Sequence, residues 1–193
     1  GQPVFFKISG YARPKRCRQL GIVLPALLQF AENNPETTEP LDLAHTQHNL
    51  ASLAISRQDF EAAKRSIAQA EALYEAEQDP AGIIDVEILK ANVFIGQEQD
   101  YRAAMSSMRK IQTLMAHSAV DATVQLEIYN LLSDCFEALH QPDSALVYSR
   151  MAEKLYLQLF SSQQKRFNEI DRANLEKRNK LERGLSELEI AKG

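Results

Sequence analysis

Asp42, His45 and His48 are the residues of this chain whose types and spacing come closest to chemistry. Set three apart on a helix, they place one carboxylate and two imidazoles on a single face, a donor set that suits a transition metal. A fourth ligand is not evident, and the same positions serve equally as polar surface of a helical hairpin, which is the expected use. His117 and His140 fall near predicted helix ends, where a cationic imidazole complements the helix dipole. Cys17 and Cys135 belong to separate segments and are expected to remain separate thiols that behave as small hydrophobes. The chain has no Gly-rich phosphate loop, nucleophile motif or Cys-x-x-Cys pair. The expectation is a chain with no catalytic residue, no cofactor and no bound metal.

The bulk properties narrow the class. The 193 residues are 45% hydrophobic and 25% charged, with a net charge of −4 and no basic tract. A nucleic-acid surface would need clustered Lys and Arg, so nucleic acid is not an expected partner. Seven Gly, seven Pro and no Trp fit a helical protein better than one of short strands and tight turns. The longest apolar run, Leu20 to Ala31, is broken by Pro25 and Gln29 and falls short of the roughly 18 residues that a spanning helix needs. No membrane insertion by this chain is expected. No basic-then-apolar leader is visible either, and Gly1 reads as a remnant that would make the chain part of a longer protein.

The elements that must position any functional side chain come from a repeat. Gln58-Asp59-Phe60-Glu61-Ala62-Ala63 returns as Gln99-Asp100-Tyr101-Arg102-Ala103-Ala104 and again as Gln141-Pro142-Asp143-Ser144-Ala145. Ala63, Ala104 and Ala145 are evenly spaced, since 104 − 63 and 145 − 104 are both 41. Such a period marks stacked supersecondary units. Residues 1–41 form an N-terminal segment with a helix from Pro14 to Asn33, which Pro25 should kink or divide, and a loop follows from Asn34 to Pro40. Three helical hairpins are expected over about 42–81, 82–120 and 121–160. Asp79-Pro80-Ala81-Gly82 reads as a stop between the first two, and Pro142 as the first residue of a helix. The columns Leu50/Ala91/Leu132, Ala54/Ile95/Phe136 and Tyr74/Met115/Tyr156 are apolar throughout, a register that a coincidental repeat would not keep.

Residues 161–193 form a charged helix. Phe160, Phe167, Asn174, Leu181 and Leu188 recur every seven residues, with Ile170 and Leu185 beside them. A central Asn in such a heptad seam can specify a parallel two-stranded coiled coil. The other reading of the segment is a single solvated helix that caps the array.

The alanine columns and hairpin spacing resemble the tetratricopeptide repeat (TPR) family over about Asp42 to Leu159. The departures are a longer period and the residues Gln47, Ile88 and Tyr129 where the family places a large aromatic. This resemblance implies an all-α right-handed superhelix of hairpins whose first helices line a concave groove. Aligned to the family, the groove residues are His45, His48, Asn49, Ser52, Leu89, Lys90, Val93, Gln97, Asn130, Asp134 and Glu137. They imply a protein or peptide ligand.

The run Leu155 to Phe160 leading into Lys165 to Leu188 is similar in layout to the sensory part of TPR-containing histidine kinases and related regulators of Bacteroidota. The implied function is non-catalytic sensing outside the inner membrane, with homodimerisation through the last helix and an adjacent membrane span in the parent protein. The competing readings are a free-standing cytoplasmic TPR adaptor and a cytoplasmic transcriptional regulator whose array binds a signalling peptide.

Overall fold

The computed structural model describes residues 14–34 and 38–190, with backbone alone for 14–21, 32, 171, 173, 174, 177 and 179–190. Among these the protein is helical throughout, with no strand. Its helices are α1 (Pro14–Asn33), α2 (Pro40–Ser56), α3 (Phe60–Ala76), α4 (Pro80–Val93), α5 (Tyr101–Met115), α6 (Ala122–Ala138) and α7 (Pro142–Ile190); a π-helical turn, Phe94–Glu98, extends α4.

Local chemistry explains most of the boundaries. Four helices begin behind an aspartate that accepts backbone N–H groups of the first turn. Ala62 donates to Asp59 at 3.0 Å, Ala81 to Asp79 at 3.0 Å, Ala103 to Asp100 at 2.9 Å and Thr123 to Asp121 at 2.8 Å. Each bond satisfies a donor that the helix itself cannot. Pro40 and Pro80 start α2 and α4, and Pro142 starts α7, where a missing N–H costs nothing. Pro80-Ala81-Gly82, expected as a stop, is therefore the first turn of α4, because Asp79 caps it. Pro25 lies inside one continuous α1 rather than dividing it.

The turns within the hairpins repeat with the sequence. Gln58, Gln99 and His140, each 41 residues from the next, adopt left-handed backbone with φ of 62°, 50° and 57°. After Gln58 and His140 the chain closes by a bond five residues back, Asp59 N–H to Ala54 C=O and Gln141 N–H to Phe136 C=O, both 2.9 Å. This is the αL closure of a helix C-terminus. After Gln99 the corresponding bond, from Asp100 N–H, reaches six residues back to Phe94 C=O at 3.1 Å. The extra residue is taken up by the π turn, which is why α2 and α4 start 40 residues apart while α3 and α5 start 41 apart.

The chain divides into two units, Gly1–Ala152 and Glu153–Gly193. In the first, two buried clusters share α4. Val86, Leu89 and Val93 pack with Ala44 and Ala51 of α2 and Ala63, Ile67 and Tyr74 of α3. Ile84, Ile88 and Ala91 pack with Met108 and Ile111 of α5 and Ile128, Leu132 and Cys135 of α6. A helix with apolar residues on both sides is one that neighbours must cover twice. Ala63, Ala104 and Ala145 are all buried, as the repeat predicts.

The predicted column Tyr74/Met115/Tyr156 diverges. Tyr74 is fully buried, Met115 half-buried and Tyr156 exposed. In the second unit Tyr156 instead stacks on Phe160, ring centroids 6.4 Å apart. No helix end occurs near residue 161, since α7 runs through it without a break.

Candidate functional site

The residues expected to form one groove occupy different environments. His48 and Asn49 are buried, His45 and Ser52 half-buried, and the His45 ring lies 5.8 Å from that of Tyr74. Leu89 and Val93 belong to the core cluster of α2, α3 and α4. Lys90 is half-buried, and Gln97, Asn130, Asp134 and Glu137 are exposed. Thr46, Gln47, His48 and Asn49 are four consecutive buried polar residues on α2, a helix that α1, α3 and α4 all touch. Among the described residues no group of three or more His, Cys, Asp or Glu stands where it could hold a metal ion, and no helix is long and apolar enough to cross a membrane.

What the structure does assemble is a charged network joining three helices. Lys90 of α4 donates to Glu71 of α3 at 2.5 Å and to Glu87 of its own helix at 3.1 Å. Lys110 of α5 donates to the same Glu87 at 2.9 Å and lies 3.5 Å from Glu71. Glu87 is the most enclosed member, its side chain 5% exposed. Burial by itself would push the Glu87 carboxyl up. Hydrogen bonds from Lys110, buried Ser107 and Lys90, with the Lys90 charge, outweigh this and hold it below the usual carboxylate range. The hydrogen bond to Glu87 correspondingly raises Lys110, against partial desolvation. Two ammonium groups and two carboxylates balance, so the network joins the hairpins without leaving a net charge.

Beside this network lies an apolar cleft of about 260 Å³ between α3 and α4, lined by Lys64, Ile67, Ala68, Glu71, Lys90, Val93 and Phe94. Lys90 and Val93, predicted as groove residues, thus share a cleft with α3. Gln97, also predicted, sits near it, its Nε2 3.5 Å from Glu61 of α3. At the rim the Lys64 ammonium lies 3.4 Å from Glu61 and 3.9 Å from Glu98. The π turn delivers Phe94 to the cleft and is seated by Gly96, where a Cβ would stand 2.9 Å from the Phe60 ring.

The sequence reading missed Glu71, Glu87, Lys110 and Phe94. The Glu87–Lys90 spacing of three was a visible pairing signal. Nothing local pointed to Glu71 or Lys110, which lie about twenty residues away in the chain.

The other candidate chemistry is quiet. Burial, then the Asp134 charge, push the Cys135 thiol up to about 11, so it is protonated and a poor nucleophile. Partial desolvation and the neighbouring Glu137 raise Asp134. Thr123 donates through both hydroxyl and backbone to Asp121 and lowers it, as a cap should.

The exposed face of α7 in the second unit is a separate feature. Tyr156, Phe160, Phe167 and Ile170 are each between 56% and 60% exposed, and their spacing of four, seven and three keeps them on one stripe. The side chains of Asn174, Leu181 and Leu188 lie outside the described residues, though the helix backbone continues through all three. No family model matches the chain, and no curated protein or solved structure matches it.

Proposed function

We propose that this chain is a non-catalytic sensing and protein-interaction module, a TPR-type solenoid of three hairpins whose last helix pairs with that of a second copy. The observation that carries the reading is the stripe of Tyr156, Phe160, Phe167 and Ile170, more than half exposed on a single helix. Helices in proteins gain most of their stability from packing an apolar face, so such a stripe favours a partner. Heptad spacing continuing through Asn174, Leu181 and Leu188 favours a like helix as that partner, in a parallel coiled coil. The left-handed turns at Gln58, Gln99 and His140 support the hairpin repeat. The shared use of α4 by two core clusters fits units that each bury only one face alone.

In this reading a bound protein or peptide changes the packing of the hairpins, and α7 carries the change to an output domain elsewhere in a membrane-bound two-component regulator. Placement outside the inner membrane rests on the resemblance in layout. The solution mass of the intact chain, by light scattering, tests the core of the proposal. A dimer is expected that truncation after Phe160 abolishes, and Asn174→Leu should shift it to another assembly state. A monomer in all three would overturn the signalling role and favour the cytoplasmic adaptor.

A further inference from the structure

We infer that the cleft between α3 and α4 is a docking site for one large apolar side chain of a partner polypeptide, flanked in that partner by a basic residue. The inference rests on the reading of the chain as a peptide-binding module, but not on any role of α7.

At about 260 Å³ the cleft is smaller than sites that enclose a whole small molecule, which run to roughly 300–1,000 Å³. It suits a single side chain. Ile67, Val93 and Phe94 make its walls apolar. Lys90 could have made it an anion site, but its ammonium is held by Glu71 and Glu87. That same pinning fixes the stem of Lys90 along the wall, so the cleft exists before a ligand arrives and little ordering is lost on binding. Lys64, which lines the cleft and marks its mouth, has two exposed carboxylates beside it, Glu61 at 3.4 Å and Glu98 at 3.9 Å. This group of three is net negative. A cation next to the anchoring side chain would meet Glu98 or Glu61 without having to break the inner network.

The geometry also explains why this site forms where the second hairpin meets the first. Only there, among the described turns, does the extra residue form a π turn and place Phe94 at the cleft. The matching closure of the first hairpin falls on Ala54, which is buried.

The test is a heteronuclear NMR titration of the intact chain with the capped pentapeptide Gly-Lys-Leu-Lys-Gly, with its Leu-to-Ala analogue and free indole as comparison probes. Two variants accompany it. Ala68→Leu fills the cleft from an exposed position and leaves the core alone, and Glu98→Lys reverses the mouth. The expected result is shifts of the Ile67, Ala68, Val93 and Phe94 amides, with affinity reduced about tenfold or more by Ala68→Leu and several-fold by Glu98→Lys or by the Leu-to-Ala analogue. Binding that shifts Asn130, Asp134 and Glu137 and ignores Ala68→Leu overturns the cleft while sparing the peptide-binding reading. Absence of binding to the pentapeptide at millimolar concentration overturns the docking proposal. Indole binding that Ala68→Leu blocks, without pentapeptide binding, makes the cleft a small-molecule site and overturns the proposal as well.

Discussion

The two units of the chain depart from the usual arrangement in different ways. In the first, polar and charged side chains go inside: Gln47, His48, Asn49, Asp85, Glu87 and Ser107 are all less than one-tenth exposed. In the second, aromatic and aliphatic side chains go outside, on α7 from Tyr156 to Leu175. A buried carboxylate is tolerable only when hydrogen bonds replace its hydration, and Glu87 has three donors. The exposed stripe of α7 has no such compensation beyond the stacking of Tyr156 on Phe160. The Glu87 network is thus satisfied within the first unit, whereas the stripe of the second unit is left in solvent.

The largest expected effect strikes the first unit at Tyr74. This ring is fully buried in the α2–α3–α4 cluster and packs directly against Gly82, where a Cβ would fall 2.2 Å from the ring. Tyr74→Ala should cost about 3–5 kcal/mol in urea unfolding. The Tyr74 hydroxyl has no hydrogen-bond partner, and burial, then Asp79, raise its pKa. Tyr74→Phe should therefore leave stability unchanged or raise it by up to about 1 kcal/mol. A large loss for the Phe variant would mean that the hydroxyl is bonded after all. Gly82→Ala should cost about 1–3 kcal/mol by overpacking, with a smaller loss when Tyr74→Leu accompanies it.

Next in size is the charged network. Glu87→Gln leaves Lys90 and Lys110 sharing Glu71, and should cost about 1–3 kcal/mol at neutral pH. The folded pKa of Glu87 lies below its unfolded value, so its contribution is full above the ordinary carboxylate range. It fades as the pH falls through the lowered folded value. Unfolding curves of the parent and Glu87→Gln chains should therefore converge in acid. A constant gap down to about pH 2 would show that shape, not charge, holds these helices together.

A smaller effect tests the hairpin turns. His140 takes a left-handed conformation that glycine adopts without strain. His140→Gly should raise thermal stability by about 0.5–1 kcal/mol. The smallest effect on stability comes from the exposed stripe. Phe167→Ser should leave the unfolding of the hairpins unchanged while lowering the solution mass to that of one chain. Together with a stability change at Tyr74 or Glu87 that leaves the mass alone, this would make the contrast between the units a functional one.

The 41-residue repeat was legible in the sequence, and it returns in the left-handed turns at Gln58, Gln99 and His140. The caps made by Asp59, Asp79, Asp100 and Asp121 are just as local but were missed in the sequence, and Asp79-Pro80, which reads as a stop, starts α4. The stripe on α7 is likewise a matter of spacing along one helix. The candidate site was only half legible. Lys90, Val93 and Gln97 were picked out as groove positions, but their neighbours Glu71, Ile67 and Glu61 belong to a different helix, α3.

Helical periodicity, caps and turn chemistry act over a few residues, and so the sequence alone determined where most helices begin, how they repeat and which face of α7 is apolar. Which side of α4 meets α3, why four polar residues of α2 lie buried, and how Lys90 and Lys110 come to share Glu71 and Glu87 were decided only by tertiary packing. These contacts join residues about twenty or more apart in the chain, whose register depends on the fit of whole helix faces. The π turn stands between the two. Its extra residue is countable from Pro40 and Pro80 against Phe60 and Tyr101, but that this residue would bring Phe94 to a cleft followed only from the packing of α4 against α3.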